Sequence, residues 1–163
     1  MKELILMRHA KSSWDFHNLT DHERPLNKRG KSDAKKMGDH LLSLNMQPQL
    51  ILSSDSKRTQ ETVYLLCSKL SRRPLIFFLP SLYHASLGAI QEAIEFIHPH
   101  TDRIMLVGHN PGWSETHHWL TGIPVEFKTA TVSILNNSAH TWQEAIQSPG
   151  TWSQQHVFHP KEI

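Results

Sequence analysis

Arg8 and His9 stand side by side at the end of the chain's first hydrophobic run, Leu4-Ile5-Leu6-Met7. Arg58 follows a serine-rich stretch, Ser53-Ser54-Asp55-Ser56, and His109 follows a second apolar run, Ile104-Met105-Leu106-Val107. These residue types suit one chemistry. A guanidinium is planar, permanently charged and forked, which matches a tetrahedral oxyanion such as a phosphoryl group. An imidazole held between two such cations stays unprotonated. Its nitrogen can then attack phosphorus while the cations neutralise the equatorial oxygens. An isolated Arg-His pair would more simply be a solvated strand end, so the chemistry depends on the elements that position these three stretches.

The hydrophobic pattern alternates strand and helix. Leu4–Met7 reads as a short buried strand followed by a polar loop through Pro25. Ala34, Met37, Gly38 and Leu41 then repeat at helical spacing between Lys31 and Leu44. Leu50–Leu52 is a second strand, and Ser53–Ser56 supplies N-cap residues for a helix carrying Val63, Leu66, Cys67 and Leu70. Leu75–Leu79, bounded by Pro74 and Pro80, is a third strand, and Ile90, Ala93, Ile94 and Ile97 mark a third helix. Ile104–Val107 is a fourth strand, with a helix starting near Trp113, and Thr131–Leu135 alternates as a strand should. Asn136-Asn137-Ser138 signals a turn, after which His140–Ile146 is expected to return as an antiparallel edge strand, with the last fifteen or so residues irregular. Strand-then-helix units of this kind predict a three-layer α/β/α fold over residues 1–163. Its sheet is mostly parallel, of five or six strands, with helices on both faces. Ligands of such sheets gather beyond the carboxyl ends of the strands, where Arg8-His9, Ser53–Arg58 and Gly108-His109 all fall.

Composition bounds the alternatives. The 163 residues suffice for one domain with a proper core. Seventeen basic and fifteen acidic residues leave a formal charge of +2, with no basic run or stripe, which argues against nucleic-acid or membrane binding. The single cysteine, Cys67, excludes an internal disulfide framework and lies in a helical apolar stripe, where packing is its expected role. Met1–Met7 lacks the length and cleavage site of a signal peptide, and no run is long enough to span a membrane. The expectation is a cytoplasmic monomer. Thirteen histidines raise the question of metal. Their spacings include neither H-E-x-x-H nor a zinc-finger set, so a metal site is the lesser reading and no cofactor is expected.

The order and placement of these motifs resemble the histidine phosphatase superfamily, the group that includes phosphoglycerate mutases and acid phosphatases. Arg8-His9 resembles its defining dipeptide. Ser54 with Arg58 and Thr62 resembles its S-x-x-x-R-x-x-x-T pattern, and Val107-Gly108-His109 its second histidine motif. Arg8-His9-Ala10-Lys11 and Arg24-Pro25-Leu26-x-x-x-Gly30 are most similar to the short SixA-type phosphohistidine phosphatases. The resemblance implies that His9 is phosphorylated, that Arg8 and Arg58 bind the phosphoryl group with help from Arg24, and that His109 hydrogen-bonds its oxygens. It implies no metal. The partner would be a phosphohistidine-bearing protein, such as a histidine phosphotransfer protein.

Two departures bear on the chemistry. Larger superfamily members carry a glutamate after the third strand as general acid, whereas Pro80–Ala85 offers no carboxylate, and no cap domain is visible. An alkoxide needs a proton to leave, but imidazole departs easily because its conjugate acid has a pKa of about 6.5. A shallow site without a dedicated acid therefore suits phosphohistidine on a protein. Asp21 is the preferred proton donor, just before Arg24, ahead of Glu23, His84 and His17. Duller roles compete for several residues: Asp21 and Arg24 as turn residues, Tyr83 and His84 at the pocket rim, Trp113 as core, and Asn110 as a helix cap. The alternative functions are a small-molecule phosphomonoesterase on the same fold and a non-catalytic phosphoprotein-binding module.

Overall fold

The structure is a computed structural model describing residues 1–163. Its strands are β1 (Lys2–Arg8), β2 (Leu50–Ser54), β3 (Leu75–Leu79), β4 (Arg103–Gly108), β5 (Val132–Asn137) and β6 (Ser153–Phe158). They form one six-stranded sheet in the order β3-β2-β4-β1-β5-β6. The first four strands are mutually parallel, β5 is antiparallel to β1, and β6 is antiparallel to β5. The α/β fold with a mostly parallel sheet and an antiparallel edge is the one expected.

Successive strand side chains point to opposite faces, and the sequence fills both with apolar residues. Ile5, Met7, Ile51, Met105 and Val107 pack against Ala34, Met37 and Leu41 of α1 (Lys28–Ser43) and Val63 and Leu66 of α2 (Lys57–Cys67). Leu4, Leu6, Leu52, Ile104 and Leu106 face the other way. They pack against α3 (Leu87–Glu95), α4 (Gly112–Thr121) and α5 (Trp142–Ile146) through Ile90, Ile94, Trp113, Leu120 and Trp142. Trp113 is core, its indole N–H donating to the Leu106 carbonyl at 3.2 Å. Cys67 packs at the edge of the first of these layers, and burial pushes its thiol up to about 11, which leaves it protonated and inert.

The chain's end differs from expectation. The segment expected as an edge strand, His140–Ile146, instead contains α5, and β6 forms from residues expected to be irregular. Trp142, Ala145 and Ile146 recur at helical spacing and are buried, and the Thr141 hydroxyl accepts the Glu144 N–H at 3.1 Å as an N-cap. Ser153-Gln154-Gln155-His156 carries little apolar alternation because an edge strand faces solvent on much of its surface.

Register places the site. On β1 and β4, Arg8 pairs with Gly108, so the residues that follow, His9 and His109, leave the sheet side by side. On β2 and β4, Ser53 pairs with Val107, which sets Ser54 beside Gly108. Gly108 admits no side chain, since a Cβ there would lie 2.1 Å from the Trp113 ring. The Asn27 side chain caps α1 by accepting the Gly30 N–H at 2.8 Å. Gly30 lets that first turn press on the loop after His9, where a Cβ would stand 2.0 Å from the Lys11 carbonyl oxygen.

Candidate active site

The ends of β1, β2 and β4 open onto a pocket of about 300 Å³ lined by Arg8, His9, Lys11, Ser12, Trp14, Asp21, Arg24, Arg58, His84, His109, Asn110 and Thr129. A slightly larger cleft of about 340 Å³ lies at the opposite end of the sheet, among Gln47, Gln49, Arg72, Arg73 and Arg103. It holds no nucleophile, so the chemistry belongs to the strand carboxyl ends.

His9 is pinned by its backbone and its ring. Its N–H donates to the Gly108 carbonyl at 3.0 Å, and ring Nδ1 lies 2.7 Å from the Ala10 carbonyl oxygen. A carbonyl only accepts, so Nδ1 carries the proton and Nε2 keeps its lone pair. Nε2 faces Arg58, whose Nε–H donates toward it at 3.4 Å. Burial foremost pushes the His9 pKa down to about 3; the Ala10 carbonyl pulls upward, more strongly than any one of the Arg58, Arg8 and Arg24 charges that add to the lowering. At neutral pH the ring is uncharged and held among cations.

Arg58 is buried because it occupies the first turn of α2, behind the Ser56 N-cap. It donates to the Asp21 carbonyl at 2.7 Å and to Asp21 Oδ2 at 3.0 Å, and its Nη2 lies 3.3 Å from His109 Nδ1. Thr62, one turn along, accepts the Ala10 N–H at 3.1 Å and so ties α2 to the loop that carries His9. Arg8 is differently placed. Only one of its N–H contacts is within the protein, Nη1 to the Phe127 carbonyl at 3.0 Å, and buried Nε has no acceptor. No carboxylate pairs with Arg8, and burial and neighbouring Arg58 both lower its pKa. An uncompensated guanidinium with free donors, in one pocket with an unprotonated imidazole nitrogen, suits an oxyanion.

His109 stands with its ring centroid 5.3 Å from that of His9. Its Nε2 meets Ser54 Oγ at 2.8 Å while Nδ1 faces Arg58. Burial first, then His9 and Arg58, push its pKa down to about 2. A guanidinium only donates, so Nδ1 accepts from Arg58 and the ring proton sits on Nε2, donated to the Ser54 hydroxyl oxygen.

Asp21 is in the pocket, as the sequence suggested, but not as a protonated acid. Its carboxylate accepts from Arg58 at 3.0 Å, Arg24 at 3.1 Å, His84 at 3.1 Å and the Tyr83 hydroxyl. Burial alone would raise its pKa, but the hydrogen bonds from Tyr83 and His84 and the Arg58 charge outweigh it and hold the carboxyl far below the usual range. An ionised carboxylate has no proton to give. Arg24 is also reassigned: Nε and Nη2 hold Asp21 Oδ1, and Nη1 holds Ser12 Oγ at 2.9 Å, so most of its donors build the loop. Glu23 binds Thr20 and is exposed, and His17 is exposed. Asn110 caps α4, its Oδ1 accepting from the Ser114 N–H at 3.3 Å and hydroxyl at 2.9 Å, while also lining the pocket. No three histidine, cysteine or acidic side chains are grouped to hold a metal ion.

The family model described as the Histidine phosphatase superfamily (branch 1) matches residues 4–98. The chain belongs to that superfamily. An uncharacterised chloroplastic protein of Arabidopsis thaliana is 38% identical over 98% of this chain and 78% of its own length. Among solved structures, the protein histidine phosphatase SixA complexed with tungstate superposes with a TM-score of 0.82 at 18% identity, covering 98% of both chains. An Agrobacterium tumefaciens chain, provisionally assigned as phosphohistidine phosphatase SixA, gives a TM-score of 0.81 at 24% identity, again over 98% of both. The fold is thus that of SixA-type histidine phosphatases over nearly the whole chain. No helix is long and apolar enough to cross a membrane.

Sequence reasoning about the superfamily motifs placed Arg8, His9, Arg58 and His109 together, and they meet. It gave no role to Ser54 and Thr62, although both lie in the second motif, where a hydroxyl spacing was the available signal. It passed over Trp14, an exposed aromatic residue in the loop after β1.

Proposed function

We propose that this histidine phosphatase hydrolyses phosphohistidine carried on a protein, through a covalent phosphohistidine on His9 and without a metal. One observation carries the reading. His9 Nδ1–H is fixed on the Ala10 carbonyl, which leaves Nε2 as the lone-pair nitrogen, met only by a long 3.4 Å contact from Arg58 Nε–H, in a pocket shared with the uncompensated guanidinium of Arg8. In the first step Nε2 attacks phosphorus, and the substrate's P–N bond breaks with its electron pair going to the departing imidazole nitrogen. That ring leaves neutral when its other nitrogen is already protonated, so no enzyme acid is required. Arg8 and Arg58 take the equatorial oxygens, while His109, with its Nε2–H on Ser54, accepts from Arg58 through Nδ1 and so holds that guanidinium in place. In the second step water attacks phosphorus, the P–Nε2 bond breaks back to His9, and dihydrogen phosphate leaves.

The site's form favours this substrate. The donor and acceptor of the first step are both imidazoles, so the transfer is close to balanced. After β3, where a glutamate would serve an alcohol leaving group, the chain supplies Tyr83 and His84, both already committed to Asp21. The test is a rapid quench with labelled phosphohistidine protein, with and without prior dialysis against a chelator. The parent is expected to trap acid-labile phosphate and to lose no activity to the chelator. His9→Ala is expected to trap none, with turnover reduced by at least about 10³-fold while inorganic phosphate still binds. Near-normal turnover by His9→Ala would overturn the mechanism, and activity restored by one divalent ion would overturn metal independence.

A further inference from the structure

We propose that Trp14 is the platform for the leaving group: its indole receives the flat ring of an aromatic leaving group and thereby sets the substrate class. The inference rests on the phosphatase reading above and adds to it a specificity-determining residue.

Trp14 is the only hydrophobic side chain among the twelve that line the pocket. Every other surface there is charged or hydrogen-bonding, suited to the phosphoryl group and not to what it is attached to. The indole is 68% exposed. It is nevertheless held still. The Arg24 guanidinium carbon sits 3.6 Å from the ring centroid, and Arg24 is itself fixed by Asp21, Ser12 and Ser13. The loop below is tied down as well, by the Ser12–Leu26 bridge and the Ser13 N–H on the Pro25 carbonyl at 2.8 Å. With Arg24 covering one face, an exposure of this size leaves the other side of the ring open. A side chain that is exposed and immobilised at the mouth of a cationic pocket is preorganised for binding.

The chemistry of the platform selects its partner. An alkyl group gains only the area it covers, whereas a flat ring gains face-to-face or edge contact over its whole surface. Imidazole bound to phosphorus is such a ring, and so is phenol. Stacking pairs of this kind change affinity by up to about tenfold. Apart from Arg24, which is held by Asp21, Ser12 and Ser13, the platform meets only the leaving group, so inorganic phosphate, which lacks one, should not sense it.

The experiment compares three substrates on the parent, Trp14→Ala and Trp14→Phe: free phosphohistidine, phenyl phosphate, and a fluorinated alkyl phosphate whose alcohol is as acidic as phenol. In Trp14→Ala, kcat/KM for phosphohistidine and phenyl phosphate is expected to fall about tenfold relative to the fluorinated alkyl ester, mostly through KM. Trp14→Phe should restore most of that preference, and competitive inhibition by inorganic phosphate should be the same in all three proteins. An unchanged preference in Trp14→Ala overturns the proposal while leaving the phosphatase reading intact. So does weakened phosphate inhibition with an equal loss on all substrates, which would mean that Trp14 acts by holding Arg24. A parent that cleaves none of the three overturns the phosphatase reading and this inference with it.

Discussion

At the scale of single residues, the two site histidines are neutral at a stability cost that depends on pH. The unfolded chain protonates them near 6.5, whereas the folded chain resists down to about 3 for His9 and about 2 for His109. Between those limits the unfolded state binds more protons, so stability is lost as pH falls below about 6.5. Urea unfolding at pH 7.5 and pH 5 should therefore show the parent losing ~2–4 kcal/mol more than a His9→Gln/His109→Gln variant, at about 1.4 kcal/mol per pH unit for each ring. The remaining histidines are common to both proteins and cancel; matching losses would mean that the site rings titrate normally. Asp21 shows where sequence legibility ended. The Arg-His dipeptide and second histidine could be recognised from residue type and motif order, but the protonation state of Asp21 depends on Tyr83 and His84, some sixty positions away. His84 reaches it from a left-handed backbone with φ of 49°, a conformation that no local pattern announced. Because Asp21 occupies Arg58 as an anion, Asp21→Asn is expected to tighten inorganic phosphate inhibition about fivefold, the equivalent of ~1 kcal/mol for an exposed charge facing the same cation. Weaker inhibition would show that the carboxylate aids binding.

At the scale of elements, the site is a product of strand register. Arg8 pairs with Gly108 and Ser53 with Val107, and the three residues that do chemistry or support it follow directly. The buried parallel strands were legible because both of their faces are apolar, and helices α1 to α4 because their core residues recur every three or four positions. The C-terminal pair was not. Trp142, Ala145 and Ile146 keep helical spacing for a single turn, too short a stretch to outweigh the turn signal at Asn136–Ser138, and the polar β6 owes its strand form to hydrogen bonds with β5, which no property of its own sequence requires. Gly108 is the element-scale hinge between core and site, since it touches Trp113 on one side and precedes His109 on the other. Gly108→Ala is expected to cost about 1–3 kcal/mol by overpacking, read as a lowered urea midpoint. It should also lower kcat more than it raises KM, because the shift reaches His109 before the arginines. A stable Gly108→Ala protein with parental kinetics would mean that Trp113 yields without moving the strand end.

At the scale of the whole molecule, what the fold leaves out governs the range of substrates. The connections after β2 and β4 are short, and the longer one after β1, residues 9–27, lines the pocket through Lys11, Ser12, Trp14, Asp21 and Arg24. The turn after β3 brings a tyrosine and a histidine instead of a carboxylate, and both serve Asp21. The site therefore has strong charge stabilisation for the phosphoryl group and no committed proton for what leaves. General acid catalysis contributes typically about 10²–10⁴-fold, most for the most basic leaving atoms. Its absence should show as a steep fall of kcat/KM with leaving-group pKa, because charge on the departing atom must be borne unassisted. Phosphohistidine and nitrophenyl phosphates lie at the fast end of such a series, and sugar phosphates and simple alkyl phosphates at the slow end. A graded set of aryl and alkyl phosphates, assayed on the parent and on Asp21→Asn, measures the slope twice. The two slopes are expected to coincide, since an ionised Asp21 has no proton to withdraw from the reaction. A steeper slope in Asp21→Asn would return Asp21 to the role of acid, and alkyl esters cleaved as fast as aryl ones would mean that a pocket imidazole such as His84 lets go of Asp21 and supplies the proton.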